Sequence, residues 1–506
     1  MTKTRMGLEI LGAGLVLGVI GDSLLRAQPW GLNVTLCALA LTTAATLLVR
    51  RHSITPGPDA PWLALTVVLL GAAFMRRDAM GLAQFDVIGM IIALALGAAS
   101  VQGTHLANMR PLDYVRSGLM AAGGTIAGSF KLIGQDVAWR ELPQEGRLRH
   151  ARAIGLGVLL AAPLLVVFGS LFASADSIFS NLLKNVFAFD VNTVASHMVL
   201  IGVWGALTAG YLRWSLIARP DAAPALTGET ASTLGIVPVG TALGLLNLMF
   251  LLFVVVQLRY FFGGAALVEE TTGLTYAEYA RQGFFQLMAA SGLVLPVLMG
   301  ADHLVRGETA ANLTTFRRLA SLLLVLLAVV MASALQRMRL YVGAFGLSED
   351  RLYATAFVVL LLGVFAWFRW TVLRGRRGSF AFGALIQGFA VLAGLHVLNP
   401  DAFIVRTNLH RPPAERPFDA KYAVSLGADA VPPLLEALPR LADRDRCIVA
   451  LEVLRHWGNG AEGDYRVVQG DWRTWNWSRS RARRLVAERA EALRALKCPA
   501  DYSSSE

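Results

Sequence analysis

From Met6 onward the chain alternates long apolar runs with short polar breaks. The runs are Met6 to Leu25, Leu32 to Val49, Trp62 to Met75, Phe85 to Val101, Ala153 to Ala173, His197 to Ile217, Ile236 to Leu258, Gly283 to His303, Leu319 to Gln336, Leu352 to Leu373 and Phe380 to Leu398. Most measure about 17 to 23 residues, the length a helix needs to cross a hydrocarbon core of about 30 Å. They are continuous, whereas the strands of a membrane β-barrel alternate over about ten residues. The pattern predicts an all-α, polytopic helical membrane protein with about 11 transmembrane helices. These occupy residues 1–398, and a small, mainly helical soluble domain follows over 399–506.

Several local features refine this layout. Met6 to Leu25 has the basic start of a signal peptide but lacks a small-residue cleavage site and contains Glu9, so it reads as an uncleaved first helix. Gly118 to Phe130 is apolar but too short and glycine-rich to span, which predicts an interfacial or re-entrant segment. Ile178, Leu182, Leu183, Val186 and Phe187 recur at helical spacing and predict a helix lying on the surface. Pro296 predicts a kink in its span. In the tail, ADAVPPLLEALPRL, RDRCIVALEVLRHW and SRSRARRLVAERAEALRALK read as three helices around a tryptophan-rich GDWRTWNW.

Lysine and arginine in short connections stay cytoplasmic. With the N-terminus inside, the inner connections carry 19 of them and the outer ones 9. The expected arrangement is a cytoplasmic N-terminus and, for an odd helix count, a tail on the outer side of the membrane.

Composition agrees: 55% of residues are apolar, only 16% are charged and the mean hydropathy is +0.54. A soluble chain would carry about a quarter charged residues, so the expected surroundings are the lipid bilayer. The net charge of +11 invites a nucleic-acid reading. The basic residues punctuate the apolar runs without forming a basic and aromatic face, so no nucleic-acid partner is expected. Three cysteines with no CxxC pair, and histidines not grouped at ligand spacing, predict no metal site and no cofactor. Cys447 and Cys498 can pair if the tail is outside, and are two free thiols otherwise.

The candidate chemistry lies in the outer connections. Thr275 to Phe285 (TYAEYARQGFF) and Arg337 to Arg351 (RMRLYVGAFGLSEDR) open on the same side. Arg337, Arg339 and Arg351 face Arg259 and Arg281 across a presumed cleft, with Tyr276, Tyr279, Tyr341 and Tyr353 between them. Arginine forks take carboxylate or phosphate, and tyrosine suits the headgroup level, so an outward site for an anionic lipid or envelope-related ligand is expected. The competing account is an internal ion network with Glu269, Glu270, Glu278, Glu349 and Asp350. Glu9 and Asp22 are candidate proton or ion sites at membrane depth, beside Asp86, Lys131, Arg213 and Asp302; their closeness to span ends fits snorkelling equally well. The chain holds no GxSxG, HExxH or GxxxxGK[ST], which weighs against an enzyme and leaves that function open.

TYAEYARQGFFQL, ALQRMRLYVGAFGLSEDRLYA, LNPDAFIVRTNLHR, ADAVPPLLEAL and DWRTWNWSRSRARR, in this order, resemble the bacterial membrane families catalogued as domains of unknown function 4173 and 4153. The resemblance implies a multi-pass inner-membrane protein and transfers no catalytic residue. It places Tyr276, Glu278, Tyr279, Arg281, Arg337, Tyr341, Arg351, Asn399, Asp401 and Asn408 at motif positions.

Three functions remain open. One is transport or lipid handling through the outward site. Another is a sensor or assembly role, with the tail and its GDWRTWNW binding an envelope protein partner. The third is a membrane-embedded enzyme using Glu278 or Asp401.

Overall fold

The computed structural model describes residues 2–139, 191–218, 235–272, 284–305, 308–411, 417–458 and 471–498, with a few single positions between 161 and 176. Among these there is no strand. The described residues up to 398 form the long helices α1 (Thr2–Leu25), α2 (Leu32–Arg51), α3 (Ala60–Arg76), α4 (Met80–Val101), α5 (Pro111–Lys131), α6 (Val191–Leu216), α7 (Ile236–Thr272), α8 (Phe284–Leu304), α9 (Ala310–Phe345), α10 (Glu349–Thr371) and α11 (Ser379–Leu398). Nine of the described helices are long and apolar enough to cross a membrane, and α3 is a shorter apolar helix of 17 residues. The protein is therefore an all-α polytopic helical protein. The expected run Ala153 to Ala173 and the surface helix near Ile178 fall outside the described residues.

Side chains that a water-soluble fold would hide point outward here. Leu65 and Leu69, Ile88, Ile91 and Ile92, and Leu245, Leu248 and Leu252 are all exposed at helical spacing. Such stripes suit hydrocarbon surroundings, where helices associate through close packing and not through removal of apolar surface from water. Small residues supply that packing: a Cβ on Gly14 would come within 2.6 Å of the Ala209 methyl, and one on Gly18 within 2.5 Å of the Ile201 carbonyl. Glycine at both positions lets α1 and α6 touch backbone to backbone.

Contacts sort the helix ends into two faces. On the first, Lys3 pairs with Asp136 at 3.0 Å, Glu9 with Arg51 at 3.1 Å and His52 at 2.9 Å, and the Leu106 amide donates to Asp59 at 2.9 Å. Arg377 grips Asp302 on the same face, with Gly378 beside the Ala107 carbonyl. On the second, Asp22 pairs with Arg26 at 3.0 Å and His197 at 2.5 Å, and Arg77 reaches the His396 carbonyl at 2.7 Å. Successive helices run from one face to the other, as an alternating membrane bundle must.

The helix α5 is the exception. Its start is tied to the first face by the Tyr114 hydroxyl, which donates to the Leu106 carbonyl at 2.8 Å. Its C-terminal part lies against α6, where Gly128 meets Gly210, and a π turn (Leu132–Asp136) then returns the chain to Lys3 and Arg213. Leu112, Val115, Leu119, Ile126 and Phe130 form an exposed apolar stripe along it. Both ends of α5 thus stay at one face, the geometry of a helix lying in or dipping from the interface.

One apolar core joins α7 to α10 around Leu298, Leu323, Phe316 and Phe368, and α11 bridges it to α3 and α4 through Leu70, Leu82, Leu392 and Leu395. Beyond Asn399 come α12 (Pro400–Leu409), α13 (Ala420–Ser425), α14 (Val431–Ala437), α15 (Asp443–Trp457) and α16 (Trp477–Arg494). Their core around Val449, Leu434, Ala482 and Val486 also takes in Leu347 from the α9–α10 connection and Leu352 from the first turn of α10. Cys447 and Cys498 are joined by a disulfide. The tail packs on the second face.

Candidate functional site

Where the tail meets the bundle, the two short breaks before α2 and α4 bring polar residues to one place. The chain leaves α3 through Arg76-Arg77-Asp78, because charged groups end an apolar helix at the membrane boundary. Asp429, in a short 3-10 turn of the tail, is 5% exposed and accepts four bonds. Its donors are Arg77 Nη1 at 3.1 Å, the Asp78 amide at 3.1 Å, Asn399 Nδ2 at 3.1 Å and Ser478 Oγ at 2.8 Å. Asn476 donates to the Phe74 and Arg77 carbonyls, both at 2.8 Å. Arg479, 4% exposed, donates to the Trp30 carbonyl at 2.8 Å and the Thr474 carbonyl at 2.9 Å, and faces Asp78 at 3.4 Å. Buried polar groups are paired in this way because an unpaired one costs roughly 1–3 kcal/mol.

Beside this seam lies a cavity of about 410 Å³. Trp30 and Phe74 wall it on one side, meeting edge to face at 6.2 Å, and Glu349 and Asp401 on another. Asp401 is 1% exposed. Its Oδ2 accepts the Gly427 amide at 2.9 Å, while its Oδ1 has no hydrogen-bond partner among the described residues. Asn399 Oδ1 and, one turn after Glu349, the Tyr353 hydroxyl are left in the same condition. Glu349 accepts from the Gly81 amide at the start of α4, and its own amide donates to the Tyr422 hydroxyl at 2.9 Å.

Burial, followed by the charges of Glu349 and Asp429, holds the Asp401 carboxyl well above the usual carboxylate range. The folded state thus keeps a proton that the unfolded state gives up. Asp401 costs no stability below the ordinary carboxylate pKa, and the penalty grows as pH rises toward the folded-state pKa. Asp401→Asn keeps the bond to Gly427 and removes the charge. Its melting temperature should equal that of wild type in acid and exceed it increasingly toward neutral pH; a constant offset at all pH values would contradict this.

A family model described as a domain of unknown function, DUF4153, matches residues 64–437, well over half of the chain. The chain belongs to the DUF4153 family. No curated protein and no solved structure matches it. The DUF4153 stretch supplies Arg77, Asp78, Glu349, Asp401 and Asp429, whereas Ser478 and Arg479, which close the seam, lie beyond it.

Of the residues singled out in the sequence, Asn399 and Asp401 come to this seam. Tyr341, Arg351 and Asn408 form a different group in the DUF4153 fold. Asn408 clamps the α9–α10 connection, accepting the Leu347 amide at 2.6 Å and donating to its carbonyl at 2.9 Å. Arg351 donates to the Gly346 carbonyl and stacks 4.1 Å over the Tyr341 ring. Arg339 is exposed and Arg337 half-buried. Tyr276, Glu278, Tyr279 and Arg281 lie outside the described residues. Glu9 sits among Arg5, Arg51 and His52, and Asp22 between Arg26 and His197, so both are ion-paired near span ends. Asp86 likewise meets His396 at 2.7 Å. Among the described residues no group of three metal-ligating side chains occurs. The sequence reading passed over Asp429 and Arg479; the signal available was the family-like DWRTWNWSRSRARR stretch, which contains Asn476, Ser478 and Arg479.

Proposed function

We propose that this DUF4153 protein lies in the bacterial inner membrane with the Lys3 face cytoplasmic and the tail periplasmic, and that it handles an envelope-related ligand in the cavity beside Asp401. The observation that carries the reading is a buried carboxylate with an unsatisfied oxygen, lining a cavity between the membrane bundle and the tail. Natural folds rarely leave such an atom without a use. The basic bias of the inner connections and the disulfide support the orientation, since disulfides persist in oxidising compartments. Trp472, Trp475 and Trp477 are exposed beside the ends of α1 and α2, where the Trp475 carbonyl accepts the Leu32 amide at 2.8 Å. Indoles at that level suit lipid headgroups, which favours lipid handling over an assembly role for GDWRTWNW.

Ser425 lines the cavity and is exposed. With Cys447 and Cys498 bonded, Cys37 within α2 is the remaining native thiol. A membrane-impermeant maleimide should label Ser425→Cys in spheroplasts without permeabilisation. Labelling that requires an opened inner membrane would reverse the orientation. In native mass spectrometry, the purified chain should retain a small envelope molecule that labelling at position 425 displaces. Identical spectra before and after labelling would remove the cavity from the function.

A further inference from the structure

The charges around the cavity decide what it can hold. Its cations are already committed. Arg77 donates through Nε and Nη2 to the His396 carbonyl and through Nη1 to Asp429. Arg479 is shared among the Trp30 and Thr474 carbonyls and Asp78. Four carboxyl groups, those of Asp78, Glu349, Asp401 and Asp429, gather at the cavity and its seam. Asp78 and Asp429 belong to the seam, which leaves Glu349 and Asp401 as the further carboxyl groups of the cavity lining, with Asp401 Oδ1 buried and unsatisfied among the described residues. An anion entering here would raise the cost of ionising these carboxyl groups and would meet arginines already bonded elsewhere, whereas a cation would favour their ionised form.

We propose that the cavity binds a primary ammonium group, held between Asp401 Oδ1 and Glu349 and walled by Trp30 and Phe74. The inference rests on the reading of the cavity as the ligand site and names the ligand's chemistry. Three features select an ammonium over a bare metal ion. About 410 Å³ far exceeds the volume of an ion. Two carboxylates, with no third metal-ligating side chain grouped with them among the described residues, make a poor metal cage. An –NH3⁺ brings three donors to oxygens that need them, and an aromatic wall attracts a cation through its ring face. The group can be carried by a phosphatidylethanolamine-type headgroup or by a soluble polyamine. Exposed Trp30 and Met80 in the cavity lining bring it to the edge of the apolar belt, within reach of a headgroup.

The full chain would be placed in phosphatidylcholine nanodiscs doped with either phosphatidylethanolamine or phosphatidylglycerol, and lipid retention read by native mass spectrometry. Spermidine would be titrated in parallel by thermal shift. Wild type should keep phosphatidylethanolamine, or respond to spermidine, at least about tenfold more strongly than Asp401→Asn and Glu349→Gln. Retention of the lipid without a spermidine response identifies a headgroup, and the reverse identifies a soluble amine; either supports the inference. Because Asp401→Asn keeps the Gly427 bond, its loss of binding with an unchanged melting profile in acid separates ligand contact from folding. Selective retention of phosphatidylglycerol would overturn the ammonium assignment while leaving the cavity as the ligand site. Binding of none of the three probes, with no molecule displaced by labelling at position 425, would overturn both.

Discussion

Asp429→Ala should destabilise the protein by about 3–5 kcal/mol, the usual cost of removing one partner from a buried charged pair. The reason is the number of groups that depend on one carboxylate. Arg77, at 10% side-chain exposure, would lose its only carboxylate partner in this seam and keep only the His396 carbonyl. The Asp78 amide, Asn399 and Ser478 would each lose an acceptor. These donors come from the α3–α4 break, the end of α11 and the tail, so the tail should come away from the bundle before the bundle melts. Limited proteolysis reads this directly, as faster cleavage after α12 at temperatures where α1–α11 remain protected. Asp429→Asn, which keeps two acceptor lone pairs, should lose less. A tail in Asp429→Ala as resistant as in wild type would show that apolar packing alone holds it.

Gly427→Ala should have an effect of similar kind, about 3 kcal/mol. The backbone at Gly427 is extended, so the obstacle is space and not a strained dihedral. A Cβ there would overlap the Asp78 carbonyl oxygen and lie 2.8 Å from Asp401 Oδ2. Neither neighbour can yield easily: Asp78 is fixed by its amide bond to Asp429, and Asp401 by the Gly427 amide itself. The variant should show a lowered melting temperature, early proteolysis of the tail and a lost pH dependence of stability, since Asp401 would become hydrated. Melting within a degree of wild type, with the pH dependence intact, would mean that the seam can open at this point without consequence.

The membrane architecture was legible because its cause is local. Each span needs only enough apolar residues in a row, and Leu32 to Val49 or Phe380 to Leu398 satisfies that without reference to any other part of the chain. The segment Gly118 to Phe130 reads as short and glycine-broken in the sequence, whereas in the structure it is part of one continuous 21-residue helix, α5, because the turn before it from Pro111 adds to its length. The seam was not legible in the same way. Arg77 and Asp429 are separated by 352 positions, and an Arg-Arg-Asp break after an apolar run reads equally as a membrane boundary marker. The arginine-rich Arg337 to Arg351 stretch drew attention by its charge at an outer face. Arg351 instead holds its own loop through the Gly346 carbonyl and the Tyr341 ring, a local role that composition does not separate from ligand binding. Asp401 was selected through its motif, and the reason for its importance, an oxygen buried without a partner, exists only after folding.

Leu347 and Leu352, from the connection and helix that precede α11, stand in the same core as Val449, Leu434 and Val486 of the tail. The division at Asn399 expected from the sequence therefore does not separate two folding units. During synthesis the tail emerges after the bundle, and its core stays incomplete until the α9–α10 hairpin has been inserted with its tip on the correct side. A chain inserted with that hairpin inverted would present a tail with an open apolar flank and an unpaired Asp429, a natural substrate for quality-control proteolysis. Tail folding thus reports on the topology of helices made before it.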